Sequence, residues 1–282
     1  MRNRITISYP SHAQRTLFIR GVVGVLLGMT FWQCRQPKPL ALCKLRAVLS
    51  EQGDTLRAYY YEDELLLRWE DRQAGEVHNL IYEEGILTRE TLGPPGGGAF
   101  AYFGYEYFPA GQLKTLSYYE RDELGNWEVK QEQTFAYDLE DLLEVSDTYD
   151  LSQTSPVLIR RQSFQWATPL NLASIFEWQV DPFSPGDFRV ESRRSFAYDL
   201  QTNPYDRLQD FRLPNGPHNV TKETFTAYLY GNGGRDTSFQ SFETSTSYRY
   251  IPGGYPVEAI RILLNGRQEK ETLIYDCEDP EE

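Results

Sequence analysis

Histidine is nearly absent from this chain, with three in 282 residues. His12 lies in an apolar leader, and His78 and His218 stand alone in the sequence. A zinc site or a Ser/His/Asp triad therefore has little material, and the sequence predicts no metal site and no cofactor. Carboxylates are plentiful, so a paired-acid glycoside hydrolase stays open as a minor alternative.

A basic surplus is also absent. The formal charge is −13, and the first 34 residues contain four arginines and no acid. Without them, 28 less 4 leaves 24 basic residues against 41 acidic ones. A surface this acidic repels phosphate backbones, which argues against a nucleic-acid partner.

No apolar period of 3.6 residues persists outside the leader, so helices are not predicted. The glycine-rich stretch at 93–98 lacks the Lys-Ser/Thr pair of a phosphate-binding loop and is interpreted as a hairpin loop. Tyr, Phe, Trp, Thr and Ser are common, as in strands. Short strand-like segments separated by turns, such as Asn265-Gly266, continue to residue 275.

One strand unit is repeated. Residues 127–138 read WEVKQEQTFAYD, residues 188–199 read FRVESRRSFAYD, and a looser copy at 155–166 ends in FQW. Each copy leads into a polar turn and a second strand, which indicates a recurring hairpin. The fold prediction is all-β, an antiparallel up-and-down meander of about 14–16 strands, curled or closed into a large soluble barrel.

Alternation along the copies predicts an inner face with apolar, polar and then aromatic positions. The inner rows are expected to contain Trp127, Val129, Leu158, Phe188 and Val190 at the apolar positions. The polar positions form a candidate interior ligand layer, comprising Gln131, Gln133, Arg160, Gln162, Ser192 and Arg194. Buried arginines there would need acceptors. The alternative is an interior that holds only water.

The same alternation fits a membrane barrel with its aromatic face outward. That arrangement would place Gln and Arg side chains in lipid, and the chain ends in an acidic rather than aromatic tail, 278–282. The prediction is therefore a soluble barrel.

The N-terminus is typical of an export signal, with a basic lead, an apolar run at 21–32 and then Cys34. The expected organisation is a lipoprotein signal peptide at 1–33, lipid on Cys34, a tether at 34–41, one barrel domain at 42–277 and the acidic tail. Ordinary secretion and a signal anchor stay open, because Phe31, Trp32 and Gln33 are not small. Cys43 and Cys277 either form a disulfide or remain unpaired.

Three later stretches carry a family resemblance: residues 196–208, FAYDLQTNPYDRL; residues 217–222, PHNVTK; and Gly254-Tyr255-Pro256 before a strand ending Tyr275-Asp276-Cys277. Over 42–277 they resemble uncharacterised Bacteroidota lipoproteins with Tyr-Asp-type hairpins, a domain of unknown function with a porin-like fold. The resemblance implies an envelope lipoprotein with a large antiparallel barrel and supplies no catalytic residues. Asn203-Pro204 and Asp199 are interpreted as turn-forming residues.

The sequence thus favours a non-enzymatic envelope lipoprotein that binds an unidentified small ligand or an envelope protein. The alternatives are a structural barrel with a water-filled interior and the hydrolase. The tether residues Arg35 and Lys38 are basic, and the acidic signal for surface export is missing. The expected location is therefore the periplasm-facing side of the outer membrane.

Overall fold

Sixteen antiparallel strands make up the barrel domain. The computed structural model describes residues 43–168, 171–181, 187–205, 217–230 and 237–277. The leader, the tether and the acidic tail lie outside the described residues. The strands are β1 (Cys43–Leu49), β2 (Thr55–Glu62), β3 (Leu65–Asp71), β4 (Glu76–Glu83), β5 (Ile86–Gly93), β6 (Ala101–Tyr107), β7 (Leu113–Arg121), β8 (Trp127–Tyr137), β9 (Leu143–Asp150), β10 (Val157–Thr168), β11 (Asn171–Val180), β12 (Phe188–Thr202), β13 (His218–Tyr230), β14 (Thr237–Tyr250), β15 (Pro256–Ile262) and β16 (Gln268–Cys277).

Each strand pairs with its neighbours in chain order, and β1 pairs with β16 to close the sheet into a barrel. The predicted antiparallel meander is confirmed, and of the two arrangements left open, curled or closed, the structure has the closed one. Cys43 lies directly opposite Cys277 across the closing pair, and a disulfide joins them. The bridge therefore links the first and last strands at the seam of the barrel.

The residue pattern predicts one strand over residues 47–61, and this prediction is wrong, because a turn at Ser50–Asp54 divides the segment into β1 and β2. The Ser50 hydroxyl accepts hydrogen bonds from the backbone N–H groups of Gln52 and Asp54. Gly53 adopts a positive φ of 87°. Serine and glycine fold this segment back even though no proline marks it.

The connections fall at two ends of the barrel. The turns after the even-numbered strands, together with Cys43 and Cys277, lie at one end, which we call the closed end. The turns after the odd-numbered strands lie at the other, the open end.

Apolar side chains fill the closed end of the lumen in three clusters. The first cluster includes Leu45 and Tyr59, the second includes Leu116 and Phe135, and the third includes Leu172. Leu80 contacts the first two clusters, and Leu143 contacts the second and third. The closed end is therefore a packed core, while the polar inner positions lie nearer the open end.

The aromatic positions of the repeat seal the gaps between hairpins. In copy one, the Tyr137 hydroxyl donates to the carbonyl oxygen of Leu113 on the preceding strand, at 2.9 Å. The ladder between these two strands stops at Thr115 and Thr134, so the hydroxyl satisfies a carbonyl that the ladder leaves free. The same bond recurs in Tyr82→Leu66, Tyr107→Leu87, Trp166→Leu143, Tyr198→Leu172, Tyr248→Val220 and Tyr275→Pro256.

All three repeat copies carry a β-bulge at the same aligned position. Lys130, Ile159 and Glu191 are the unpaired residues, each skipped in the register with the preceding strand. A bulge exchanges the two faces of the strand beyond it.

The bulges overturn the prediction that the apolar positions face inward. Trp127, Val129, Leu158, Phe188 and Val190 lie beyond the bulges, on the outer face near the open end. Trp127 meets the ring of Tyr102 edge-on at 4.8 Å, and the guanidinium of Arg161 lies 4.5 Å from the ring of Phe188.

Charged pairs cross neighbouring strands on the outer face. Arg161 pairs with Asp147 at 2.6 Å, Lys222 with Glu243 at 2.5 Å, and Lys270 with Glu258 at 2.6 Å. In the part of the chain that the structure describes, no helix is long and apolar enough to span a membrane.

Candidate functional site

A layer of polar side chains lies on the open-end side of the apolar core. Five of the six residues predicted for this layer are connected by hydrogen bonds or ion pairs. Glu177 on β11 is its centre. Its Oε1 accepts from Gln162 at 3.1 Å and from Arg160, and its Oε2 accepts from the Ser192 hydroxyl at 3.0 Å. The guanidinium of Arg194 lies 3.7 Å from the same carboxylate. Gln133 joins through Ser146, to which its amide donates at 3.0 Å.

The electrostatics of Glu177 follow from these partners. Burial disfavours the charged carboxylate, but the hydrogen bonds from Arg160 and Ser192 and the charge of Arg194 outweigh that cost. The pKa of Glu177 therefore lies below its ordinary value. Glu177 is the acceptor that the inward arginines require. Most polar side chains of the layer therefore have their hydrogen-bond partners within the layer.

Gln131 does not join the layer. Its register places it on the same face as Gln133, but one step nearer the open end, where it is exposed. It makes no side-chain hydrogen bond to another described residue.

A second carboxylate cluster lies inside the wall formed by β3 to β6. Glu90 is 3% exposed, and its oxygens accept from Trp69 Nε1 at 3.2 Å, His78 Nδ1 at 2.8 Å and the Tyr105 hydroxyl at 2.7 Å. The rings of Trp69 and His78 stack at 3.7 Å. His78 Nε2 is buried without a hydrogen-bond partner, and the nearest carboxylate oxygen, from Glu76, lies 3.6 Å away. The cluster is too enclosed to admit a substrate.

A cavity of about 210 Å³ opens between β2 and strands β13 to β16. Asn203, Pro204 and Tyr205 enter the lumen from the closed end and form part of its wall. The Asn203 side chain accepts from the backbone N–H of Tyr205 at 3.0 Å, which fixes this turn as the sequence predicted. Asp199 accepts from the N–H of Gln201 at 2.9 Å and from Asn219, which holds the preceding corner.

Four charged side chains line the cavity, two of each sign: Arg57, Arg261, Glu269 and Glu271. Arg57 approaches Asp71 with a long Nε–Oδ2 distance of 3.8 Å, and Glu269 pairs with Arg267. Within the described residues, Glu271 and Arg261 form no ion pair or side-chain hydrogen bond. The cavity therefore presents an unpaired carboxylate and an unpaired guanidinium.

The pKa values of the cavity groups reflect burial and mutual charge. Burial disfavours the charged form of Arg57, but Tyr59, Tyr205 and Glu271 more than offset it and raise its pKa. Burial, with support from Tyr59 and Glu271, raises the pKa of Tyr205. Burial likewise raises the pKa of Tyr248 to about 12, so the lining tyrosines are neutral donors at physiological pH.

Two carboxylates of the cavity wall can be compared with the acid pair of a glycosidase. Glu269 and Glu271 share one face of β16, with Cα atoms about 7 Å apart by strand geometry. A glycosidase needs its two carboxyl groups on either side of the scissile bond, whereas these two stand side by side on one wall. Among the described residues, no three His, Cys, Asp or Glu side chains are grouped to hold a metal ion.

Sequence reasoning missed Glu177, Glu90 and the charged cavity lining. Glu177 lies outside the repeat, and its only signal was the need of the inward arginines for an acceptor. Glu90 and His78 are on neighbouring strands, which the hairpin at Glu84-Gly85 could have suggested. Arg57 and Glu271 come from the two ends of the chain, and only barrel closure brings them together.

No protein-family model matches this chain, and no curated protein matches it. Several solved structures are similar, among them three from Bacteroides species. A porin-like protein from Bacteroides vulgatus has 13% identity and a TM-score of 0.50 over 83% of this chain and 99% of its own. A porin-like protein from Bacteroides uniformis has 10% identity and a TM-score of 0.41 over 82% and 88%. A protein of unknown function from Bacteroides fragilis has 14% identity and a TM-score of 0.35 over 42% and 89%. The first shows a shared porin-like fold.

Proposed function

We propose that this chain is a non-enzymatic envelope lipoprotein whose barrel binds a small polar ligand in its lumen. The observation that carries the proposal is the cavity of about 210 Å³ with unpaired charges of both signs. Arg57 and Glu271 are half-buried, and removing a charge from water costs free energy unless the charge is paired, so a ligand that supplies the partners would stabilise this cavity. In the polar layer Arg160, Gln162 and Ser192 already donate to Glu177, which favours the cavity as the site.

Three features support the envelope location. The leader is typical of an export signal, Cys34 follows its apolar run, and the Cys43–Cys277 disulfide suits an oxidising compartment. The barrel begins at the closed end, and eight residues separate Cys43 from Cys34, a reach of at most ~30 Å. Lipid on Cys34 would therefore keep the barrel close to the membrane surface.

The outer face argues that the barrel itself lies outside the bilayer. Three ion pairs lie at outward-facing positions of their strands: Asp147–Arg161, Lys222–Glu243 and Glu258–Lys270. An Arg or Lys on the lipid face near the bilayer midplane costs about 2–4 kcal/mol. With Arg35 and Lys38 in the tether, the periplasm-facing side of the outer membrane remains the proposed location.

The test is native mass spectrometry of the mature chain, extracted gently from its own envelope. We expect a lipid mass on Cys34 and a second, reproducible small-molecule mass. Ala259→Phe fills the cavity and should abolish the second mass, whereas Ala136→Phe, an exposed substitution on the outside of β8, should retain it. Circular dichroism checks that both variants fold.

A wild-type protein without a bound small molecule would overturn the ligand proposal and favour the scaffold with a water-filled interior. Retention of the small molecule by a folded Ala259→Phe variant would show that the ligand lies elsewhere. A chain without the lipid mass would contradict the lipoprotein assignment alone.

A further inference from the structure

The charges of the cavity define the chemical class of its ligand, an inference that rests on the proposed function. Arg57 and Arg261 carry two positive charges, and Glu269 and Glu271 carry two negative ones. The wall is therefore neutral overall but contains full charges of both signs. Such a wall discriminates against a phosphate, which would meet two carboxylates, and against a simple cation, which would meet two guanidiniums.

The opposite charges face each other without direct contact. Arg57 on β2 and Glu271 on β16 are near enough for the carboxylate to raise the pKa of the guanidinium, yet no hydrogen bond or ion pair joins them. On the neighbouring wall, Arg261 is directly opposite Glu269 in the register of β15 and β16, and Ala259 is opposite Glu271. The small side chain of Ala259 leaves open the space beside the Glu271 carboxylate.

The size of the cavity limits the ligand. The volume of about 210 Å³ is below the range of about 300–1,000 Å³ that is typical of sites for drug-sized ligands. The end of the cavity contains the buried side chains of Leu273, Pro256 and Asn219, and Tyr205 and Tyr248 add aromatic surface. This space suits a molecule the size of a small free amino acid.

We propose that the cavity binds a small zwitterion, with a carboxylate held by Arg57 and Arg261 and an ammonium group held by Glu271. A guanidinium recognises a carboxylate through parallel N–H donors, and a carboxylate is the natural acceptor for an ammonium group. One ligand of this class would pair both unpaired charges, whereas a singly charged ligand would pair one and leave the other exposed to the cavity.

The experiment is isothermal titration calorimetry on the mature chain in detergent, after removal of bound small molecules by dialysis. The probes are glycine, L-alanine and L-serine, with acetate and ethylammonium as single-charge analogues and glucose as a neutral one. We expect at least one amino acid to bind and each single-charge analogue to bind at least tenfold more weakly.

Two variants test the separate halves of the site. Glu271→Gln should weaken amino-acid binding at least tenfold without weakening acetate binding, and Arg57→Met should do so while ethylammonium binding is retained. Glu132→Gln, on the outer face of β8, is the matched control and should bind like wild type. Equal loss of amino acid and acetate in Glu271→Gln would overturn the assigned orientation.

Failure of this inference is distinguishable from failure of the proposed function. If glucose binds and the amino acids do not, or if the native protein carries a small molecule that is not a zwitterion, the inference is wrong while the lumen remains a binding site. If neither the native protein nor the titration shows any ligand, both are wrong.

Discussion

At the scale of single residues, two carboxylates tie neighbouring strands together inside the barrel. Glu90 accepts from side chains on β3, β4 and β6, and Glu177 accepts from side chains on β10 and β12. A carboxylate can accept from several donors at once, which an amide oxygen with its adjacent NH₂ group cannot do as well. These two residues therefore add side-chain links between strands that the backbone ladder already pairs in order.

Replacing Glu90 with Gln should lower the free energy of unfolding by about 2–4 kcal/mol, because the amide NH₂ would be buried against the donors of Trp69, His78 and Tyr105. Urea denaturation followed by tryptophan fluorescence measures the change. Glu132→Gln on the outer face serves as the control and should stay within about 0.5 kcal/mol of wild type. A loss below about 1 kcal/mol for Glu90→Gln would contradict this role.

The sequence predicts part of the polar interior. The inward positions of Gln133, Arg160, Gln162, Ser192 and Arg194 follow from counting back from the aromatic residues, because strict alternation holds between the bulge and the turn. The counting fails beyond the bulge, since one skipped residue reverses both faces and nothing in Lys130, Ile159 or Glu191 marks that residue as unpaired. Glu177 and Glu90 are defined by cross-strand contacts, which a single strand pattern does not specify.

At the scale of the strand and hairpin, the repeat connects one hairpin to the next. Its aromatic end donates a hydrogen bond to the preceding strand where the ladder has stopped, and its bulge turns the other end outward. The sequence predicted the hairpins and their aromatic rows because both are local. The bond from Tyr137 to Leu113 spans 24 residues and depends on the register between hairpins.

Removing one such hydroxyl tests the sealing role. Tyr137→Phe should lower the free energy of unfolding by about 1 kcal/mol, because the Leu113 carbonyl oxygen loses its donor. Tyr60→Phe is the matched control, since Tyr60 is 42% exposed on the outer face, and its substitution should change little. Urea midpoints of the two variants give the comparison, and equal midpoints would argue that Tyr137 acts through its ring alone.

At the scale of the whole molecule, closure of the barrel creates the candidate site. The cavity needs β2 from the beginning of the chain and β13 to β16 from its end, joined across β1 and the Cys43–Cys277 bridge. Composition and turn spacing predict a large meander, but not whether its edges meet. The cavity was therefore beyond prediction from sequence, although the meander that contains it was not.

The ring of sealing tyrosines should make the whole barrel sensitive to alkaline pH. Burial raises the pKa of Tyr82, Tyr107, Tyr198 and Tyr248 to about 12, from an ordinary value of 10.0. Between pH 10 and 12 the unfolded chain has released these protons while the folded barrel retains them, so the unfolded state binds fewer protons and the free energy of unfolding falls as pH rises. Their contribution is fully present below pH 10.

Urea midpoints measured across this range should fall steeply above pH 10, together with the appearance of tyrosinate absorbance. The later part of the rise in absorbance should coincide with the loss of structure, because burial delays the ionisation of the sealed hydroxyls relative to that of exposed tyrosines. Full tyrosinate absorbance in a barrel that remains folded would contradict this prediction. It would show that these hydroxyls are accessible to solvent and that their hydrogen bonds do not hold neighbouring hairpins together.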